Sequence, residues 1–368
     1  MTRLHDLDAL RSFAMLLGLL LHGALFLVGV EGWPFNDPWS NTLEPHYNPY
    51  AFMIMIVHGF RMPVFFLISG FFTAMLWQSR GWNRLADHRI RRIGIPLLIG
   101  MITIVPLNSW VMEGIDFSPL HNWFTAWLGG FDHLWFLWYL LWMVAIFLIL
   151  VKLRVQFKQR LWWLLIPLSI IPMYLMKDQV FGADSFSPTI ELIPPLHLLA
   201  YYSAFFFFGA FFYQRNYKVH RWWTAMILPS VLVLFPVGIA LVFPEILLES
   251  TPSYAWLGTS VVQTAYAWLM SFGFMGLFNW IASKERRWVR YMSDASYWIY
   301  LWHFPLVVLA QMFLVHIPMN PHLKFFLLCT TILAILLVMY QAGVRYTFIG
   351  AALNGRRIRP TNQQGTIE

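Results

Sequence analysis

The chain has 368 residues, 59% hydrophobic and only 11% charged, with a formal net charge of +8 and a single cysteine. Soluble domains are roughly half apolar and a quarter charged, so this composition excludes an ordinary soluble domain and points to a polytopic membrane protein. One cysteine excludes an internal disulfide, and the basic excess, which in a soluble chain would suggest nucleic acid, has a topological cause shown below.

The first apolar run, from Asp8 to about Val30, carries Asp8, Arg11 and His22. It is too long for the apolar region of a signal peptide and is read as retained. At 100° per residue, Arg11 and His22 return to within roughly 20° of one direction, with Asp8 one turn below Arg11 on the same side. Gly18 falls on that side and leaves room for a neighbour. His22 sits roughly 16 Å above Arg11, about halfway through a hydrocarbon core of ~30 Å. A histidine at that depth either bonds a neighbouring helix or marks a functional site, and its alignment with an arginine and an aspartate favours function.

Ten apolar segments are expected in all, at 9–30, 50–78, 93–112, 133–151, 161–177, 195–214, 222–244, 254–282, 295–316 and 323–345. The fifth is broken by Pro167 and Pro172, the seventh by Pro229 and Pro236. The connections alternate in charge. Arg80, Arg84, Arg89, Arg91 and Arg92 fill one, and Lys152, Arg154, Lys158 and Arg160 the next on that side. Arg215, Lys218 and Arg221 follow, then Lys284, Arg286, Arg287 and Arg290, then Arg356, Arg357 and Arg359. The intervening loops hold acids such as Asp37, Glu113, Asp132 and Glu245, with Lys177 and Lys324 their only bases. The positive-inside rule then puts both termini in the cytoplasm and the acidic loops outside. The expected organisation is an all-α integral membrane protein of about ten transmembrane helices. One transmembrane domain covers 1–350, and a cytoplasmic tail without fixed structure covers 351–368.

Several polar residues interrupt later spans. Counting back from Arg80 puts Ser69 about 16 Å deep, level with His22, and Arg61 about 28 Å deep, near the outer surface. Arg61 either snorkels to outer headgroups or lines a cavity at the kink made by Pro63. Ser69 with Gly70 reads as a close-packing pair or as a chemical group. In the ninth span His303 lies close to the depth of His22, with Tyr300 one turn below. No His/Asp/Glu pair at i, i+4 accompanies either histidine, so no metal site is expected. Arg89 and Arg92, one turn apart at the inner end of the third span, serve topology or a cytosolic phosphate-bearing ligand. Trp135 belongs to an interfacial aromatic belt or offers a stacking surface for sugar.

Five strings together resemble the membrane acyltransferase-3 family: Arg11 and His22 at their eleven-residue step, FRMPVFFLISGFF at 60–72, RIRRIGIP at 89–96, HLWFL at 133–137 and SYWIYLWHFPL at 296–306. The second and fourth look most like the branch that succinylates periplasmic glucans. The resemblance implies a multi-pass protein of the bacterial inner membrane. It implies O-acyl transfer from a cytosolic acyl-CoA, succinyl-CoA or acetyl-CoA, to a hydroxyl of an extracytoplasmic carbohydrate, with no bound cofactor. By position it makes His22 the catalytic base, supported by Arg11 and Asp8, and turns Arg89 and Arg92 toward the coenzyme A phosphates. Arg61, Ser69, Trp135, Tyr300 and His303 would shape the tunnel or acceptor site. The partners expected are acyl-CoA, the carbohydrate and membrane lipid. The rival readings are a proton-coupled transporter and a non-catalytic assembly protein.

Overall fold

The computed structural model describes residues 4–29, 33–42, 48–113, 130–155, 161–176, 180–181, 193–243 and 255–355, and these form helices and short turns without a strand. Eight helical stretches among them are long and apolar enough to cross a membrane. One of these runs through 64 residues, Pro49–Met112, and at roughly 96 Å it cannot cross once. It reverses at Gly81, whose φ of 79° and ψ of 178° suit a residue without Cβ. The reversal brings Arg89 Nη2 to 2.7 Å from Thr73 Oγ1, two groups that a straight helix would hold roughly 24 Å apart. The fifth expected span is the short apolar stretch Leu161–Leu175, broken at Ser169. The segments therefore occur in the expected order, nine of the ten within eight candidate spans, because Pro49–Met112 holds two of them.

Helix α1 (His5–Ala24) is the most buried span. Around it pack α2 (Pro49–Arg89), α6 (Ala255–Ile281), α7 (Arg287–Leu314) and α8 (Pro321–Met339). Helices α3 (Ile95–Met112), α4 (Trp135–Lys152) and α5 (Leu196–Gln214) complete the described bundle. Gly70 of α2 and Gly209 of α5 bring those two helices into backbone contact. A Cβ at Gly70 would overlap Phe206 O, and one at Gly209 would overlap Leu67 O. This is the close-packing role that small residues play between membrane helices. The least buried span, Arg221–Val242, is interrupted by a π-turn at Ser230–Leu234, between its two prolines. The tail boundary expected at 350 falls inside a last helix, α9 (Phe348–Asn354), and residues 356–368 lie outside the described ones.

The apolar run of the first span continues to Val30, yet α1 ends at Ala24 and passes into a 3₁₀ turn, Leu25–Leu27. Backbone that leaves a helix inside a membrane protein must find other hydrogen-bond partners. Here three carbonyls of this stretch find one elsewhere in the chain. Gln311 Nε2 donates to His22 O at 2.8 Å, Asp37 N to Phe26 O at 2.8 Å, and Asn48 Nδ2 to Leu27 O at 2.8 Å. Trp33 Nε1 donates in turn to Gln311 Oε1 at 3.2 Å. The segment 33–42 is thus folded over the end of α1 on the acidic side. Asp37 and Lys324, expected as exposed loop charges, are both fully buried and meet at 2.6 Å, tying that segment to α8. Glu31, Glu44, Asp116, Lys158, Lys177, Asp178, Asp184, Glu191, Glu245 and Glu249 lie outside the described residues.

Breaking one side of a buried ion pair leaves a bare charge and costs about 3–5 kcal/mol, whereas replacing both partners with apolar groups is often neutral. Lys324→Met alone should therefore lower the thermal unfolding midpoint of the purified protein sharply. The Asp37→Leu, Lys324→Met double variant should recover most of the loss, and a double variant as unstable as the single one would contradict this account.

Candidate active site

Four elements bring polar side chains together at the middle of the bundle. Helix α1 supplies His22 and the bare surface of Gly18, α2 supplies Arg61, α7 supplies Tyr300 and His303, and the turn before α4 supplies His133. His22 Nδ1 lies 2.9 Å from His303 Nε2, with the two rings nearly parallel at 4° and their centroids 5.0 Å apart. Both are buried, His22 at 6% exposure and His303 at 1%. Phe304 stands edge-on to His22 at 4.7 Å and packs at 5.0 Å against His133.

Arg61 reaches this cluster through the notch at Gly18. A Cβ on Gly18 would overlap Arg61 Nη1 and lie 3.5 Å from His303 Nε2. Arg61 is half-buried as a residue, and its Nε is fully enclosed. No acid pairs with it among the described residues, and its Nε has no hydrogen-bond partner. A buried cation without a counter-ion is costly, and is most economically explained by an anion that binds there.

Tyr300 Oη donates to His133 O at 2.7 Å, and His133 Nε2 bonds Leu301 O at 3.1 Å. The carbonyl of Leu301 is available because Pro305, four residues on, has no N–H to offer it. His133 Nδ1 is buried and has no hydrogen-bond partner among the described residues. Among the described residues no group of three or more His, Cys, Asp or Glu is placed to hold a metal ion.

A second polar group lies toward the arginine-rich face. Arg11, Ser69, Arg89 and Arg92 line a cavity of about 120 Å³ with Met15, Phe65 and Tyr297. Asp8 lies 3.6 Å from Arg11. This cavity shares Arg92 and His88 with a wider one of about 700 Å³, lined also by Arg80, Arg84, Arg91 and residues of α9.

The expected site residues therefore fall into two groups. His22, Arg61, Tyr300 and His303 meet at mid-bundle. Arg11 and Asp8, expected to support His22, lie roughly 16 Å away along α1, too far for direct contact, and join Arg89 and Arg92. Ser69 also lines the arginine cavity beside Arg11 and is not level with His22. Arg61, expected near the outer surface, stands against Gly18, one turn from His22. Both depths were counted from Arg80, but α2 runs for roughly 48 Å from Pro49 to Arg80 and overhangs the hydrocarbon core, so Arg80 does not mark the membrane surface. Trp135 packs against Tyr202 at 5.7 Å and Tyr139 at 5.2 Å and makes no ring contact with the histidines among the described residues.

A family model described as an acyltransferase domain matches residues 4–341, which include every residue of both groups. The chain belongs to the acyltransferase-3 family. It is 31% identical over 145 residues to proteins called glucans biosynthesis protein C from Salmonella paratyphi B, Salmonella heidelberg and Salmonella agona. Each alignment covers 37% of this chain and 35% of the relative, so the chain spans about a third of the length of the curated relatives it matches. No solved structure is a significant match. In this acyltransferase-family membrane protein, sequence reasoning missed His133 and Gln311. The available signal for His133 was the HLWFL string, read for its tryptophan, together with the carbonyl that Pro305 frees.

The Gly18 notch gives a test of the arrangement. In Gly18→Ala the new methyl must push the Arg61 guanidinium aside. Because that guanidinium has no acid partner among the described residues, the unfolding midpoint should change little, while acyl transfer should fall by about tenfold or more, on the scale of one charged hydrogen bond at 1.5–3 kcal/mol. Full activity in Gly18→Ala would show that the position of Arg61 does not matter.

Proposed function

We propose that the protein transfers an acyl group, succinyl or acetyl, from acyl-CoA on the arginine-rich, cytosolic side to a hydroxyl of a carbohydrate on the acidic, extracytoplasmic side of the bacterial inner membrane. The observation that carries this reading is a buried imidazole, His22, beside a guanidinium, Arg61, that lacks a counter-ion among the described residues. A sugar hydroxyl is a weak nucleophile until a base begins to remove its proton, and an imidazole is suited to that at neutral pH. The tetrahedral state that follows carries negative charge on the former carbonyl oxygen, which a preorganised cation stabilises in a water-poor site. A succinyl donor also carries a free carboxylate, for which the same guanidinium is a partner.

In the proposed step the hydroxyl oxygen forms a bond to the thioester carbon while its proton passes to His22. The C–S bond then breaks, and His22 returns the proton to the departing thiolate. The products are the ester and free coenzyme A, with the enzyme unchanged. Arg89, Arg92 and Arg11 would receive the phosphates of the donor, since guanidinium matches phosphate oxygens in paired hydrogen bonds. The slender arm of the donor would then pass from the cavity beside Met15 and Phe65 toward Gly18. The names of the matching relatives support a glucan as the acceptor class.

The test is purified protein in bilayers, given labelled succinyl-CoA or acetyl-CoA and a glucan acceptor. His22→Ala should lower transfer by about 10²–10⁴-fold while acyl-CoA still binds. Turnover that survives in this variant would remove His22 from the chemistry. Arg89→Ala with Arg92→Ala should weaken acyl-CoA binding about tenfold or more. An unchanged affinity would leave those arginines a topological role. Solute flux into liposomes without any acyl transfer would favour a transporter instead.

A further inference from the structure

The hydrogen bond between the two histidines has a direction, and the backbone sets it. His303 Nδ1 lies 2.7 Å from Tyr300 O and 3.2 Å from Ile299 O, both carbonyls of its own helix. A carbonyl oxygen only accepts, so Nδ1 of His303 must carry the proton. In a neutral ring the other nitrogen, Nε2, is then an acceptor. His22 Nδ1, 2.9 Å away, must be the donor, which leaves the His22 lone pair on Nε2. The chain of donors runs one way, from His22 Nδ1–H to His303 Nε2 and from His303 Nδ1–H to the α7 carbonyls.

We propose that His303 is a positioning residue that holds His22 in the tautomer whose basic nitrogen is Nε2. The His22 ring lies nearly parallel to that of His303 and edge-on to Phe304, both of which pack against it. A carboxylate performs the equivalent orientation in serine hydrolases, where supplying the wrong tautomer costs about 10⁴-fold in rate. Here the orienting group is a neutral imidazole, itself oriented by helix backbone. The role in catalysis rests on the acyl-transfer reading above, whereas the tautomer does not.

The two parts are separated by two measurements on the full-length protein in bilayers. In the first, ¹⁵N-histidine-labelled protein is examined by solid-state NMR, and His22 is identified among the 12 histidines by its loss in His22→Asn. The wild type should show neutral His22 protonated on Nδ1, and His303→Ala should move that proton to Nε2 or mix the two forms. An Nε2–H tautomer in the wild type, or an unchanged Nδ1–H tautomer in His303→Ala, would overturn the proposal. In the second, His303→Ala should lower kcat on the order of 10²–10⁴-fold with KM for acyl-CoA nearly unchanged. His303→Gln keeps an acceptor oxygen for His22 Nδ1–H and should restore both the tautomer and most of the rate. A purely structural histidine would not be rescued in this way, and a Gln variant as inactive as the Ala variant would count against positioning. A tautomer that responds to position 303 in a protein that transfers no acyl group would uphold the positioning and end the acyl-transfer reading. Transfer that proceeds with a tautomer indifferent to position 303 would do the reverse.

Discussion

The architecture depends on satisfying polar groups where water is absent. Helix α1 stops two residues after His22, inside the bundle, and a stopped helix exposes carbonyls that lipid cannot satisfy. Gln311, Asp37 and Asn48 reach those carbonyls from three different parts of the chain. The segment that carries Asp37 is then fixed by Lys324. Because α1 ends there, His22 sits near the end of a helix that continues only as a 3₁₀ turn. A helix continued to Val30 would have placed another full turn of side chains over the imidazole.

Charge is distributed along α1 in the same economical way. Arg11 has Asp8 beside it, and the arginines around them open onto cavities on the basic face. Arg61, one helical turn from His22, has no acid partner among the described residues. The two cationic regions, at Arg11 and at Gly18 where Arg61 lies, are roughly 10 Å apart along α1, a spacing that suits the proposed donor, an anionic molecule with a long uncharged middle. Its phosphates would stay at the wide end, and its reactive carbonyl would arrive beside Arg61. Gly18 makes that arrival possible by giving the guanidinium a place to lie against the helix.

Most of the fold was legible because hydropathy and loop charge are one-dimensional signals. The order of the apolar segments, the alternation of basic and acidic connections and the pairing of His22 with His303 at one depth all follow from axial position on a helix. Depth on α2 was not legible. Axial position gives distance along a helix but not how far the helix overhangs the membrane, and the hairpin at Gly81 carries Arg80 well beyond it. The assignment of Arg61 to the outer surface and of Ser69 to the level of His22 failed together for that single reason. The separation of Arg11 from His22 was in the sequence as a length of roughly 16 Å, but alignment on one face of α1 suggested cooperation where the structure gives each residue its own neighbourhood. His133 was hidden because its partner is a backbone carbonyl freed by a proline in another helix, a relation no local pattern records. Asp37 and Lys324 read as loop charges because their burial depends on how the segment 33–42 folds back.

The choice of a second histidine as the neighbour of His22 follows from Arg61. An aspartate at position 303 would accept from His22 Nδ1–H equally well, as the buried carboxylate of serine hydrolases does. In this bundle the aspartate would sit within reach of the guanidinium that lies against Gly18, and in a low-dielectric interior the two would form an ion pair. The cation would then be neutralised before any substrate arrived, and an oxyanion or carboxylate entering the site would meet a carboxylate first. A neutral imidazole orients His22 through a hydrogen bond without adding negative charge, and its own proton is held by carbonyls already present on α7. The site can therefore keep an oriented base and an uncompensated cation within one helical turn of each other. That combination allows the same few side chains to take a proton and receive an anion in a single step.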